Sequence, residues 1–179
     1  MAQPPDAHNN KMILTFYGDG KGKTSAALGV ALRASGYSRK ILFCQFIKGD
    51  WKTGEDIALK KIKNLTHRKF GIGFVLPQDD TKRKEEHIEA GGRGIKFVIK
   101  SAKQYDLIIL DEILNAVKLK IIDIDDVLKI IKDNKKKDLI LTGRPKIKKI
   151  IDVSDLVSEI KKIKHPFDKG IKAKKGIDY

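Results

Sequence analysis

Ile13-Leu-Thr-Phe-Tyr17, followed by Gly18-Asp19-Gly20-Lys21-Gly22-Lys23-Thr24-Ser25 and then Ala26-Ala27-Leu28, is the stretch that decides the fold of this chain. An apolar run stops at a cluster of glycines, and Val30, Ala31 and Leu32 then continue the apolar residues at helical spacing. A Gly-rich turn at a helix N-terminus leaves backbone N–H groups unpaired, at the end where the helix dipole favours negative charge. Lys23 adds a point charge, and the Thr24 hydroxyl is placed to hold a magnesium ion. The ligand implied is a polyphosphate.

Loops of this kind read Gly, four residues, then Gly-Lys-Ser/Thr. Counting back from Gly22 puts Tyr17 where the first glycine belongs, with Gly18 one residue late. This compression predicts phosphates seated differently from those of an ordinary NTPase.

Outward from the loop, strand and helix patterns alternate, which predicts an α/β fold with a largely parallel sheet. Strands are expected over Met12 to Tyr17, Ile41 to Phe46, Leu65 to Phe70, Leu107 to Leu110, Leu139 to Thr142 and Val157 to Ile163. Helices are expected from Lys23 to Ser35, between Leu59 and Leu65, and from Thr81 to Gln104, where Gly91-Gly92-Arg93-Gly94 should weaken or interrupt the turn. Two more should start at Asp123, an N-cap, and at Pro145. Length and the lack of a linker point to one domain over residues 11–179, behind a polar extension at residues 1–10. Composition leaves open whether the Lys-rich last residues are a tail or an ordered cap.

The apolar strand Leu107-Ile-Ile-Leu110 ends in Asp111 and Glu112. In a doubly wound sheet, ligands bind beyond the carboxyl ends of the strands, which brings these carboxylates toward Lys23 and Thr24. A carboxylate there can complete a magnesium shell. Alone, a strand ending in Asp-Glu reads equally as a solvated turn; the Gly-rich loop upstream tips the balance. Arg144, at the end of the Leu139 strand, is placed either to clamp a phosphate with its planar fork or to sit at the surface before Pro145. The histidines show no ligand spacing: His8 is in the polar N-terminus, His67 in a strand among bases, His87 on a charged helix face and His165 in a turn.

A formal charge of +15 invites a nucleic-acid reading, but 32 of the 38 basic residues are Lys and aromatics make up only 7%. Base stacking needs aromatic platforms, so a solvated Lys-rich surface that attracts polyanions is the better reading. No apolar stretch approaches the roughly 20 residues of a membrane span. One cysteine, Cys44, excludes an intrachain disulfide and fits a reducing cytoplasm.

Together these residues resemble the corrinoid adenosyltransferases of the ATP:cob(I)alamin type. The resemblance rests on Tyr17 to Gly29, Gln45-Phe-Ile-Lys-Gly49, Trp51-Lys-Thr-Gly-Glu55, Phe70-Gly-Ile-Gly-Phe74, Leu110-Asp-Glu-Ile113 and Leu141-Thr-Gly-Arg144. It continues through Lys164-His-Pro-Phe167, Gly170-Ile-Lys-Ala173 and Gly176-Ile-Asp-Tyr179. The resemblance implies a RecA-like P-loop fold, usually a homodimer, that transfers the 5′-deoxyadenosyl group of ATP to the Co(I) centre of a reduced corrinoid and releases triphosphate. It also implies an ordered C-terminus and a separate reduced flavoprotein as electron donor.

Residue by residue, the resemblance puts ATP on Gly18, Asp19, Gly20, Lys21, Gly22, Lys23, Thr24, Ser25 and Arg144. Magnesium would lie on Thr24 and Glu112, Asp111 would orient Glu112 or a metal-bound water, and the corrinoid would lie near Trp51, Phe74 and Leu76. Related enzymes often carry an aromatic where Leu76 stands, and a longer N-terminal segment. From the loop alone, a P-loop ATPase or kinase acting at the γ-phosphate is the alternative.

Overall fold

The structure is a computed structural model that describes residues 11–49, 51–73, 75–76 and 79–178. The polar extension at residues 1–10 and Phe74 lie outside the described residues. Six strands, β1 (Ile13–Tyr17), β2 (Ile41–Gln45), β3 (Leu65–Lys69), β4 (Leu107–Asp111), β5 (Asp138–Gly143) and β6 (Leu156–Glu159), form one sheet. They are ordered β3-β2-β4-β5-β1-β6, and every pairing is parallel. The helices are α1 (Lys23–Gly36), α2 (Gly54–Leu59), α3 (Thr81–Ser101), α4 (Ile113–Lys118), α5 (Ile124–Asp133) and α6 (Lys148–Ile151).

Helices on both faces explain the strand composition. β2 and β4 are buried along their whole length and read as continuous apolar runs with one polar residue each, at the carboxyl end. On one face α1 lays Ala27, Ala31 and Ala34 on Phe16, Ile41, Phe43, Ile109 and Ile140. Methyl-sized side chains at this helical spacing let α1 lie close to the sheet. On the other face, Ile95 and Val98 of α3 and Val127, Ile130 and Ile131 of α5 pack on Leu42, Leu110, Leu139 and Leu141. Asp123 caps α5, accepting from the Asp125 amide at 2.9 Å. No helix among the described residues is long and apolar enough to cross a membrane.

Four local expectations need correction. The glycines near the middle of α3 do not interrupt it, because their missing side chains are what the packing requires. A Cβ on Gly91 would lie 2.7 Å from the Ile121 side chain, and one on Gly94 2.7 Å from the Phe46 ring. The helix before β3 ends at Leu59 instead of starting there, set by a capping box in which Thr53 and Asp56 each satisfy the other's backbone. Pro145 does not open a helix; α6 begins at Lys148. β6 stops at Glu159, where the chain turns toward the Gly-rich loop.

Candidate active site

The loop between β1 and α1 is shaped by its glycines. Gly18 and Gly22 both adopt φ +117°, a conformation costly for any side chain. A Cβ on Gly18 would lie 2.4 Å from the Ile160 carbonyl oxygen, and one on Gly20 2.7 Å. The segment after β6 therefore walls one side of the loop. The Ile160 amide donates to the Tyr17 carbonyl at 2.8 Å, and its own carbonyl accepts from the Gly20 amide at 2.8 Å. The Gly18 amide donates to the Arg144 carbonyl at 3.1 Å. Two amides that the loop sequence offers to a ligand are thus engaged by the protein, whereas the first amides of α1 have no carbonyl within the helix to meet.

The charged residues of the loop differ in their surroundings. Lys23 turns back over the loop and donates to the Gly20 carbonyl at 2.5 Å. Burial, aided by the Arg144 charge, holds its ammonium below the usual lysine range, while Glu112 pulls the other way. Lys21 is half-exposed and pairs with Asp178 near the C-terminus. Asp19 accepts from the Lys162 amide at 3.1 Å, which lowers its carboxyl pKa. Ser25 is exposed on the outer side of α1.

At the carboxyl end of β4, Asp111 is wholly buried and acts as an acceptor hub. Its Oδ1 accepts from the Thr24 hydroxyl at 2.9 Å and the Thr142 hydroxyl at 2.7 Å, and its Oδ2 accepts from Gln45 Nε2 at 3.0 Å. Three donors from α1, β5 and β2 make a buried carboxylate tolerable. Glu112 follows in a left-handed conformation, φ +60°, its amide donating to Thr142 Oγ1 at 2.9 Å. The Glu112 carboxylate feels the charges of Lys48, Arg144 and Lys23. Its Oε2 is buried with no hydrogen-bond partner among the described residues. Burial, with the adjacent Asp111 charge, pushes its pKa up to about 7.

A cavity of about 480 Å³ opens beside this carboxylate, lined by Glu112, Asn115, Lys118 and Leu119 together with Ile47, Val75, Arg144 and Pro145. Asn115 Oδ1 accepts from the Arg144 amide at 2.7 Å and so fixes where that side chain starts. The carboxyl ends of the strands thus bring together Lys23, Thr24, Asp111, Glu112 and Arg144. Trp51 and Leu76 are half-exposed and do not line the cavity; the Trp51 ring lies against Gly49, and Val75 takes the wall position next to Leu76. From the sequence, Gln45 and Thr142 stand within motifs but carry no role of their own, and Asn115 stands in none. The first two are polar residues near the ends of apolar strands, the signal that singled out Asp111, whereas Asn115 carries none. His87, expected on a charged helix face, is buried.

A Gly-rich loop entering a helix at the carboxyl edge of a parallel sheet, faced by an acidic residue on a neighbouring strand, defines a P-loop nucleotide-binding protein. The fold resembles that of the cytoplasmic domain of EssC, with a TM-score of 0.53 at 16% identity, over 94% of this chain and 35% of that one. Residues 9–179 match the family described as ATP:corrinoid adenosyltransferase BtuR/CobO/CobP. The corrinoid adenosyltransferase of Escherichia coli (strain K12) is 34% identical over 94% of this chain and 85% of its own length. Corrinoid adenosyltransferase CobA of Salmonella typhimurium is 33% identical, and the Pseudomonas aeruginosa enzyme 32%, over 94% of this chain and 85% and 83% of theirs. The chain belongs to the ATP:corrinoid adenosyltransferase family, enzymes that take ATP and a corrinoid as substrates.

Proposed function

We propose that the loop and the β4 carboxylates grip the triphosphate of ATP so that the ribose C5′ is left open to the corrinoid. The Co(I) centre, itself a substrate, supplies the electron pair of the new cobalt–carbon bond. The C5′–O bond breaks and its electrons leave with triphosphate. No proton moves, so no general base is required. The work left to the chain is positioning and neutralising charge on the leaving group.

Lys23 and Arg144 supply two positive charges, and the free N-terminal amides of α1 supply donors at its positive pole. Gly18 and Gly20 shape the turn by admitting the Ile160 carbonyl and are not the donors. Lys21 reaches a phosphate after leaving Asp178. The single observation that carries the reading is the buried Glu112 Oε2, without a hydrogen-bond partner among the described residues and pushed toward a neutral carboxyl by burial and the adjacent Asp111 charge. An anionic oxygen in that position calls for a cation, and magnesium held by Thr24 and Glu112 fits the oxygen donor set. Magnesium there would disperse the negative charge of the departing triphosphate. Asp111, saturated by three donors, orients Thr24 instead of binding directly.

On the corrinoid side, the acceptor would enter the cavity next to Glu112, and the resemblance assigns Trp51, Phe74 and Leu76 to its recognition. The remaining assignments follow from the resemblance: a homodimer, a reduced flavoprotein as electron donor, and one catalytic domain over residues 11–179 behind the polar extension. Cys44, buried with its thiol pushed up to about 12, is chemically inert and compatible with a cytoplasmic enzyme. Calorimetric titration of ATP with and without magnesium tests the site. Glu112→Ala should fold and lose the magnesium dependence of ATP affinity; unchanged dependence would remove Glu112 from the metal site.

A further inference from the structure

Asp111 leaves nothing to chance on one side, and the reason lies two strands away. Gln45 is fully buried, so both ends of its amide need partners inside the protein. Its Nε2 faces Asp111 Oδ2 at 3.0 Å, and its Oε1 lies 2.9 Å from His67 Nε2. An ionised carboxylate only accepts, so the Gln45 atom that faces it must be the nitrogen. A turned amide would set oxygen against oxygen. The Gln45 oxygen therefore points at His67, and the ring must present Nε2–H to it.

We propose that His67 is a positioning residue for the nucleotide site: its Nε2–H locks the Gln45 amide in the orientation that holds Asp111, which in turn holds Thr24. This rests on the reading of Thr24 as a magnesium-side residue. Strand register makes the chain of contacts possible. Gln45 stands opposite Asp111 on β4 and opposite Lys69 on β3, while His67, two residues before Lys69, stands opposite Phe43. Alternate residues of parallel strands share a face, so His67, Gln45 and Asp111 all project to the α1 side.

The ring is held by Gln45 at Nε2 and by the face of Phe43. The Phe43 ring lies against it with centroids 5.0 Å apart. Asp56 Oδ1 sits 3.6 Å from Nδ1, beyond hydrogen-bond reach, and accepts nothing from a ring whose proton is on Nε2. Asp56 is instead fixed by Lys69 Nζ at 2.6 Å and by the Thr53 amide at 2.8 Å, at the start of α2. A continuous line of hydrogen bonds therefore runs from His67 on β3 through Gln45 on β2 and Asp111 on β4 to Thr24 in the first turn of α1.

The test uses His67→Phe, which keeps a ring against Phe43 and deletes the N–H, and His67→Gln, whose side-chain nitrogen can replace ring Nε2. Three quantities are read: the thermal midpoint without ligands, calorimetric affinity for Mg·ATP without corrinoid, and KM for each substrate. An unsatisfied Gln45 oxygen and a loosened Asp111 should weaken Mg·ATP binding by about tenfold in His67→Phe. KM for ATP should rise by a similar factor and KM for the corrinoid stay put, with His67→Gln recovering most of the loss. In the wild type, imidazole nitrogen shifts should report a protonated Nε2. A folded His67→Phe that binds Mg·ATP as the wild type does overturns the role, as does a folded His67→Gln no better than His67→Phe, or an unprotonated Nε2. Where His67→Phe does not fold, the nitrogen shifts decide. Wild-type ATP affinity that ignores magnesium overturns the Thr24 reading and this role with it; a magnesium response in the wild type matched by His67→Phe overturns only the role of His67.

Discussion

Asp111 and Glu112 are neighbours in sequence with opposite fates. The first is saturated with donors, whereas Oε2 of the second is buried with no hydrogen-bond partner among the described residues. Glu112 has its folded pKa raised above the ordinary value of 4.5 to about 7. The unfolded chain thus ionises first as pH rises, and the folded state loses stability between about pH 4.5 and 7. Glu112→Gln, neutral throughout, should be close to wild-type stability at pH 4 and more stable by about 2 to 3 kcal/mol at pH 8. Urea titrations at the two pH values check this; a difference that does not change with pH contradicts the burial argument. Lys23→Ala should lose most of the transferase activity and keep its thermal midpoint, measured by cobalt–carbon absorbance and calorimetry. The sequence singled out Lys23, Asp111, Glu112 and Arg144 by their charge and Thr24 by its place after the loop lysine, and the fold brings these five to one edge of the sheet. It did not single out Gln45, Thr142 and Asn115, because their importance lies in pairings set by register and by a kinked backbone.

Elements were legible where hydrophobic spacing alone decides them. β1, α1, β2 and β4 fall within a residue or two of their expected bounds, since strands covered on both faces are unbroken apolar runs. α3 shows where local propensity misleads. Glycine lowers helix propensity by about 1 kcal/mol relative to alanine, but Gly91 and Gly94 admit Ile121 and Phe46. The two effects separate by substitution. Gly92 faces open space, so Gly92→Ala should stabilise by about 0.5 to 1 kcal/mol. Gly94→Ala should destabilise by about 1 to 2 kcal/mol, because overpacking against the Phe46 and Phe70 rings outweighs the gain in propensity. Denaturant melts of the two variants check it; equal shifts in the same direction would deny the packing role. The early end of β6 had no signal, as it is imposed by the approach of Ile160 to Gly18 and Gly20.

At the scale of the molecule, strand order places β4 and β1 on either side of β5, and that arrangement carries Glu112 to within electrostatic reach of Lys23. Alternation of strands and helices foretold the layers, but strand order comes from which crossovers pack, and residue spacing does not encode it. The Lys-rich surface gives the chain its +15 charge and suits attraction of polyanionic ATP. Beyond β6 the chain exposes the apolar side chains of Ile163, Phe167 and Ile177. If the proposed homodimer holds, light scattering should give twice the 20.1 kDa chain mass; the mass of a single chain would contradict it. The account turns on which end of ATP faces the acceptor, and phosphorus NMR of a reaction with Mg·ATP and chemically reduced cobalamin tests that most directly. It should show triphosphate formed one for one with the cobalt–carbon bond. Orthophosphate released at the same rate without the corrinoid would contradict it.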